Sequence, residues 1–311
     1  MRKTKLQFKI SFSIFLGIVF FFPFKAEAAK LYLAPVEREY YVGNTVIAEV
    51  RLDVKDECVN AVKADLSFSK DNLEAVDFSR GNSILSIWVK EPVIEQDLGQ
   101  ISFIGGIPGG FCGVMPGDPG ESNLLGRIIF QVRQAISGQG KIGFSDTSEV
   151  LLNDGLGTKA ELKTSGAAFN ILDEIPYQFK DQWADELTQD SILPEPFEIK
   201  IYQESLIFEG KYFITFSTTD KQTGLDYYEV AELNLFERIF KIEKWQKGNS
   251  PYLLNDQNLR SLIKVKAVDK AGNERMATIM PVFKPKWQDV IWILLFLIGL
   301  GIIFRLIKWR K

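Results

Sequence analysis

Much of the chain between its two apolar ends is written in short runs where hydrophobic and polar residues alternate. Over 45–54, Val46, Ala48, Val50, Leu52 and Val54 fall on one side of an extended backbone, and Glu49, Arg51 and Asp53 on the other. Over 62–68, Val62, Ala64, Leu66 and Phe68 alternate with Lys63, Asp65 and Ser67. A period of two marks a half-buried β-strand, because successive side chains of an extended chain point to opposite faces. The same reading predicts strands at 100–104, 126–132, 141–144 and 167–171, and no helical period stands out from 30 to 171. Clusters of Gly, Asn, Asp and Pro punctuate the runs, so residues 29–171 are expected to fold as an all-β sandwich. The stretch 107–122, IPGGFCGVMPGDPGES, is expected to be a long loop from its Gly and Pro content.

Residues 172–196 turn acidic and polar and end in Pro194-Glu195-Pro196, which suits a linker, with a helical turn expected around 181–187. A second strand series follows over 197–284: FEIKIYQ, YFITFSTTD, LDYYEVAE, LRSLIKVKAVD and ATIMPVF. About 90 residues of this kind suit a second β-sandwich, of immunoglobulin or fibronectin type III size.

The two apolar ends differ in character. Residues 1–28 place basic residues before an apolar stretch and then Ala26-Glu27-Ala28, the order of a secretory signal peptide cut after Ala28; an uncleaved anchor is the other reading. Residues 287–307 would make about 31 Å of helix at ~1.5 Å per residue, enough to cross a bilayer. Trp287 and Trp292 stand near one boundary and Trp309 near the other. Arg305, Lys308, Arg310 and Lys311 crowd the C-terminal side, which the positive-inside rule assigns to the cytoplasm. The expectation is a bacterial single-pass membrane protein with its N-terminal bulk outside and residues 308–311 as a cytoplasmic tail; a buried core helix is the alternative.

Composition narrows the chemistry. The chain has no histidine, which removes the usual general base, the commonest metal ligand and every Ser/His or Cys/His nucleophile arrangement. A carboxylate pair could still serve glycoside hydrolysis, but nothing marks one pair among 40 acidic residues, so no enzymatic activity is expected. The net charge of −3 gives no electrostatic case for nucleic acid. Cys58 and Cys112 are too few for a disulfide framework and lack zinc-site spacing; in an exported protein they either form one bridge or stay free.

An ordered set of segments in the first module resembles the cohesin domain, a sandwich related to family-3 carbohydrate-binding modules. The segments are VGNTVIAEVRLD at 42–53, VNAVKADLSFSKDNLEAVDFSRGNS at 59–83, GQISFIGGIPG at 99–109, LLGRIIFQV at 124–132 and LLNDGLGTKAELKTSGAAFNI at 151–171. The resemblance implies a jelly-roll sandwich and a non-catalytic receptor; cohesins hold dockerin modules of polysaccharide-degrading enzymes on one exposed sheet face. The chain departs from a cellulosomal scaffold in carrying one copy and no recognisable dockerin or cellulose-binding module. The second module resembles bacterial immunoglobulin-like or fibronectin type III repeats through STTDKQTGLDYYEV at 217–230 and IKVKAVDKAGNERMATI at 263–279.

Several residues then become candidates. Lys63, Asp65 and Ser67 are either a solvated strand face or part of a binding sheet. Trp88, with Phe111 and Met115 of the long loop, either packs in the core or offers an apolar anchor for a protein or a platform for a sugar ring; Phe111 and Met115, flanked by Gly and Pro, are expected to be exposed. Asp220, Asp226 and Asp269, with Asn273, either bind calcium through hard oxygen ligands or cap turns whose Gly224 and Gly272 supply permissive dihedrals. Asn153-Asp154-Gly155-Leu156-Gly157 is read as a turn, because the alternating ligands of a calcium loop are missing. The sequence therefore points to a surface module that recruits a secreted protein, with direct polysaccharide binding or a structural role in the envelope as competing readings.

Overall fold

The computed structural model describes residues 28–34, 37–55, 57–113, 123–134, 136, 138–173, 181–282, 291, 294–302 and 305. It divides into two compact units, Met1–Gln189 and Asp190–Lys311, with the boundary inside the segment 172–196. Strand dominates both units.

In the first unit β1 (Ala29–Leu33), β3 (Thr45–Asp53), β5 (Leu73–Ser79), β8 (Leu124–Val132) and β11 (Leu162–Ser165) make one sheet, in the order β11-β1-β3-β8-β5. The other contains β2 (Glu39–Tyr41), β4 (Val59–Phe68), β6 (Ile87–Glu95), β7 (Gln100–Phe111), β9 (Gln139–Phe144), β10 (Glu149–Leu152) and β12 (Ala167–Leu172), in the order β2-β12-β9-β4-β7-β6 with β10 also beside β4. Neighbours run antiparallel except β1 with β11 and β2 with β12.

The alternation read from the sequence is the division between core and surface. Val46, Ala48, Val50 and Leu52 of β3 and Val62, Ala64 and Leu66 of β4 are fully or almost fully buried in one shared core, where the transfer of each large side chain from water is worth ~1.5–3 kcal/mol. Aromatic rings fill its middle edge to face: Phe68 against Phe130 and Phe78 against Phe103, both pairs at 5.2 Å between centroids. Packing is tight enough to dictate a glycine. A Cβ on Gly126 would stand 2.3 Å from Cζ of Phe78, so no larger residue fits without displacing that ring.

The expected loop over 107–122 is corrected in its first part, because β7 continues to Phe111. Val59 pairs with Phe111 while Ala61 pairs with Gly106, so the extra residues of the Gly- and Pro-rich stretch bulge out of a strand that then resumes pairing. Residues 114–122, Met115 included, lie outside the described residues.

The helical turn expected near 181–187 is a helix, α1 (Gln182–Gln189). Asp181 anchors its start: Oδ1 accepts from the Ala184 N–H at 3.0 Å and from the Thr45 hydroxyl at 2.7 Å. Trp183 is buried under the Arg127 guanidinium, which also pairs with Glu186. Thr45 and Arg127 point out of the first sheet, away from the core, so α1 packs on part of that sheet's outer face, over β3 and β8.

The second unit has a three-stranded sheet, β13 (Lys200–Gln203), β14 (Tyr212–Thr215) and β17 (Tyr252–Leu253), in the order β13-β14-β17. A four-stranded sheet holds β15 (Leu225–Leu233), β16 (Gln246–Lys247), β18 (Leu262–Asp269) and β19 (Glu274–Ile279), in the order β16-β15-β18-β19. Ile199, Ile214 and Phe216 from the first side meet Val230, Ile263 and Val265 from the other in one core. Between β15 and β16 lies α2 (Leu235–Phe240), which the strand pattern did not predict. Asn234 accepts from the Glu237 N–H and the Glu237 carboxylate accepts from the Asn234 N–H, both at 3.0 Å, a reciprocal cap.

Of the apolar ends, the expected signal peptide lies outside the described residues apart from Ala28. Within the expected span, residues 291, 294–302 and 305 are helical, with Leu294, Leu295, Phe296, Leu297 and Ile298 more than half exposed. The remainder of the span and the tail 308–311 lie outside the described residues, and among the described residues no helix is long and apolar enough to cross a membrane.

Candidate functional site

Among the described residues no helix of the first unit lies over the outer face of the second sheet, which is a broad surface. Register sets its rows. Leu151, Ala61, Gly106 and Ile87 lie side by side across β10, β4, β7 and β6; the next row is Glu149, Lys63, Ile104 and Lys90, and the next runs Asp65, Ser102 and Val93. These are the positions that alternate with the buried ones, and β4 supplies Lys63, Asp65 and Ser67 to this face.

The middle of the face is a polar ladder. The Lys63 ammonium lies 3.0 Å from an Asp65 carboxylate oxygen, which also accepts from the Thr147 hydroxyl at 2.6 Å. Burial pushes the Asp65 carboxyl up, but the Thr147 hydroxyl and the Lys63 ammonium, with Lys90 behind them, outweigh it and hold the group below its ordinary range. Lys90 donates to the Ser102 hydroxyl at 2.7 Å, and Lys159 holds Glu149 ionised at 2.7 Å. Solvent screens half-exposed pairs of this kind, so they add little to stability and contribute instead a fixed pattern of charge.

Beside the ladder, the edge strand β6 is apolar and exposed: Ile87 at 51%, Val89 at 72% and Val93 at 38%. Pro92 and two register shifts, Trp88/Lys90 and Lys90/Val93, interrupt its pairing with β7. Interrupted, charged edges resist strand-to-strand aggregation while leaving side chains available to a partner.

The aromatic candidates fall elsewhere. Trp88 is half-buried, packed against Phe78 at 6.0 Å and Phe103 at 5.7 Å, with the Arg80 guanidinium 5.6 Å above its ring. Phe111 is fully buried, which corrects the expectation that it is exposed: its flanking glycines suggest a loop, but it pairs with Val59 in the sheet and points to the core. Among the described residues the face carries no exposed aromatic ring. Cys58 and Cys112 are joined in a disulfide, one residue beyond the Val59–Phe111 pair, so the bridge closes the end of the β4–β7 ladder.

The acidic residues of the second unit are regrouped by the fold. Asp220 and Asp269 meet, but the third member is Asp190, from the segment read as linker, and one carboxylate oxygen from each lies within 4.8 Å of the others. Asp226 instead stands on β15, half exposed, 3.8 Å from the Lys270 ammonium. All three clustered carboxylates are buried. Asp190 Oδ2 accepts from the Thr223 N–H and hydroxyl, Asp269 takes the N–H and the side-chain amide of Asn273, and Asp220 Oδ2 accepts from the N–H groups of Gln222 and Gly224. Turn capping is thus present, and it leaves Oδ1 of Asp220 buried without a partner. Burial chiefly, with repulsion from Asp190 and Asp269, pushes the Asp220 carboxyl up against the pull of the Gly224 and Gln222 N–H groups. Nothing in the local sequence marked Asp190, which lies 30 residues before Asp220 and looks like any acidic linker residue.

No family model matches the chain, and no curated protein matches it. Solved structures similar to it are cohesin modules. The sixth cohesin of scaffoldin B from Acetivibrio cellulolyticus, solved in complex with a Cel5 dockerin, is 16% identical, with 47% of this chain and 100% of that chain covered at a TM-score of 0.37. The cohesin module of a family 33 glycoside hydrolase from Clostridium perfringens is 12% identical, with 47% and 98% covered at a TM-score of 0.36. A type I cohesin–dockerin complex from Clostridium thermocellum matches at 13% identity, with 47% and 100% covered at a TM-score of 0.36.

Proposed function

We propose that the first unit is a cohesin-like, non-catalytic receptor that captures a secreted, dockerin-bearing protein on the outer face of its second sheet. The observation that carries this reading is the outer face of the second sheet, on which, among the described residues, a fixed charge ladder borders the exposed Ile87, Val89 and Val93. Such a face can seat a protein partner: apolar side chains provide the buried centre and oriented charges set register and exclude wrong partners. A sugar-binding face would need exposed rings to stack on, and among its described residues this one presents no exposed ring.

The second unit is read as an immunoglobulin-like spacer and the segment 287–307 as a membrane anchor. Support for the anchor comes from the exposed apolar helix over 294–302 and from the end of the sheet from which the chain leaves. Ile279 pairs with Ile263, and the adjoining Leu262 pairs with Leu233. The exit toward the apolar segment and the start of α2 therefore share one end of the four-stranded sheet. There α2 shows Leu235, Phe236, Ile239 and Phe240 to solvent, each at least 60% exposed, as a surface lying against lipid would.

The partner class is tested by passing the organism's secreted proteins and a panel of polysaccharides over the full chain held in detergent. Retention of a protein with a dockerin-type module, reproduced with that protein purified, is the expected outcome; retention of glycan alone would move the function to carbohydrate binding.

A further inference from the structure

We infer that Asp190, Asp220 and Asp269 form a calcium site that fastens together one end of the second unit. The three come from separate places: Asp190 is the first residue of the unit, Asp220 sits in the turn after β14, and Asp269 closes β18. Asp190 is 6% exposed, Asp220 2% and Asp269 1%, yet each offers an oxygen within 4.8 Å of the other two. Carboxylates buried so close cannot all stay ionised without a countercharge.

Asp220 shows what is missing. Its Oδ2 is taken by the backbone N–H groups of Gln222 and Gly224, and its buried Oδ1, in a cluster whose carboxylates offer oxygens within 4.8 Å of one another, has no hydrogen-bond partner. A proton at Oδ1 would neutralise this one carboxyl and leave two buried carboxylates beside each other; ionised, it would bury a negative charge beside two more. A divalent cation at that oxygen resolves both cases.

The donors select the ion. All are oxygens, the chain has no histidine, and its two cysteines are joined in the first unit, so soft and borderline metals find nothing they prefer. Calcium accepts six to eight oxygens at ~2.3–2.6 Å in flexible geometry, with backbone carbonyls and water completing the shell, whereas magnesium demands a near-ideal octahedron and keeps most of its water. Asn273 already bridges the site's parts, donating from its side-chain amide to the Asp190 carbonyl at 3.2 Å and to Asp269 at 2.9 Å. An ion there would fix the entry of the chain to the turns after β14 and β18.

The full chain, stripped with EDTA and held in detergent, is titrated with calcium chloride in a calorimeter and then unfolded by heat with and without the ion. One ion per chain is expected, with Kd on the order of 10⁻⁴ to 10⁻³ M or tighter, and a rise of about 5 °C or more in the second unit's Tm at saturating calcium. Asp220→Asn should weaken binding at least about tenfold, and Asp190→Asn likewise, so that loss of fold in one variant leaves the other to decide; Asp226→Asn should bind as the parent does. No binding heat and no Tm shift, tighter binding of zinc than of calcium, or undiminished binding by Asp190→Asn or Asp220→Asn would overturn the assignment.

Discussion

Replacing Phe103 with alanine is expected to lower the stability of the first unit by about 3–5 kcal/mol, the cost of deleting a large buried aromatic and leaving a cavity that its neighbours only partly fill. Phe103 has no exposed surface, lies in the middle of β7, and packs against Phe78 and Trp88. Its neighbours in sequence, Ser102 and Ile104, point the other way and belong to the open face. The same substitution should therefore loosen the face as well as the core. Calorimetry of the full chain should show the first unit's transition falling while that of the second stays in place; a Phe103→Leu variant, which keeps most of the volume, should recover more than half of the loss. An alanine variant as stable as the parent would mean that the two sheets do not share this core.

Removing the disulfide is expected to cost about 4 kcal/mol, because a bridge closing a loop of this length removes a comparable amount of conformational freedom from the unfolded chain. Cys58 and Cys112 are 54 residues apart in sequence. The loop between them contains β4, β5, β6 and β7, so reduction frees the strands that carry the candidate face. With Cys58→Ser and Cys112→Ser together, the first unit's Tm should fall by roughly 8–16 °C for a domain of this size, and reductant should then have no further effect. If reductant leaves the parent's Tm unchanged, the two cysteines are not joined in the folded protein.

How much of this was legible in the sequence depended on whether a strand has one wet face. β3 and β4 do, so Val46 to Leu52 and Val62 to Leu66 alternate with charged residues and announce themselves. β6 does not: it is an edge strand, exposed along most of its length and broken by two register shifts, so IWVKEPVIE shows no period although it supplies Ile87, Val89 and Val93 to the face. The end of β7 was hidden by composition, since Gly and Pro signal a loop whether or not pairing resumes beyond them; Phe111 was misplaced for that reason. Lys63 and Asp65 could be assigned to the outward side of β4 from parity alone, but Thr147, which donates to Asp65, and Ser102, which stands opposite it, come from other elements and only the fold brings them near.

The second unit repeats the lesson with charge. Asp220 and Asp269 both stand in turns with a nearby glycine, Gly272 at φ +88°, and that local chemistry is visible in sequence. Asp226 shared the same local look and is taken away by Lys270, while Asp190 had no look at all. Burial separates these residues, and burial of an isolated acid is a tertiary property.

The central claim, that the open face of the second sheet is where a protein partner is held, is tested most directly by placing charge on it. In the full chain, Val89→Asp combined with Val93→Asp changes two exposed positions on β6 without touching the core, and Gln131→Asp, on an exposed position of β8 in the other sheet, serves as the control. With the captured protein purified, its Kd should rise about 30-fold or more for the double variant, or ~2 kcal/mol by the relation between affinity and free energy, and stay within about twofold for the control. Equal affinity of the double variant and the parent would contradict the assignment of this face.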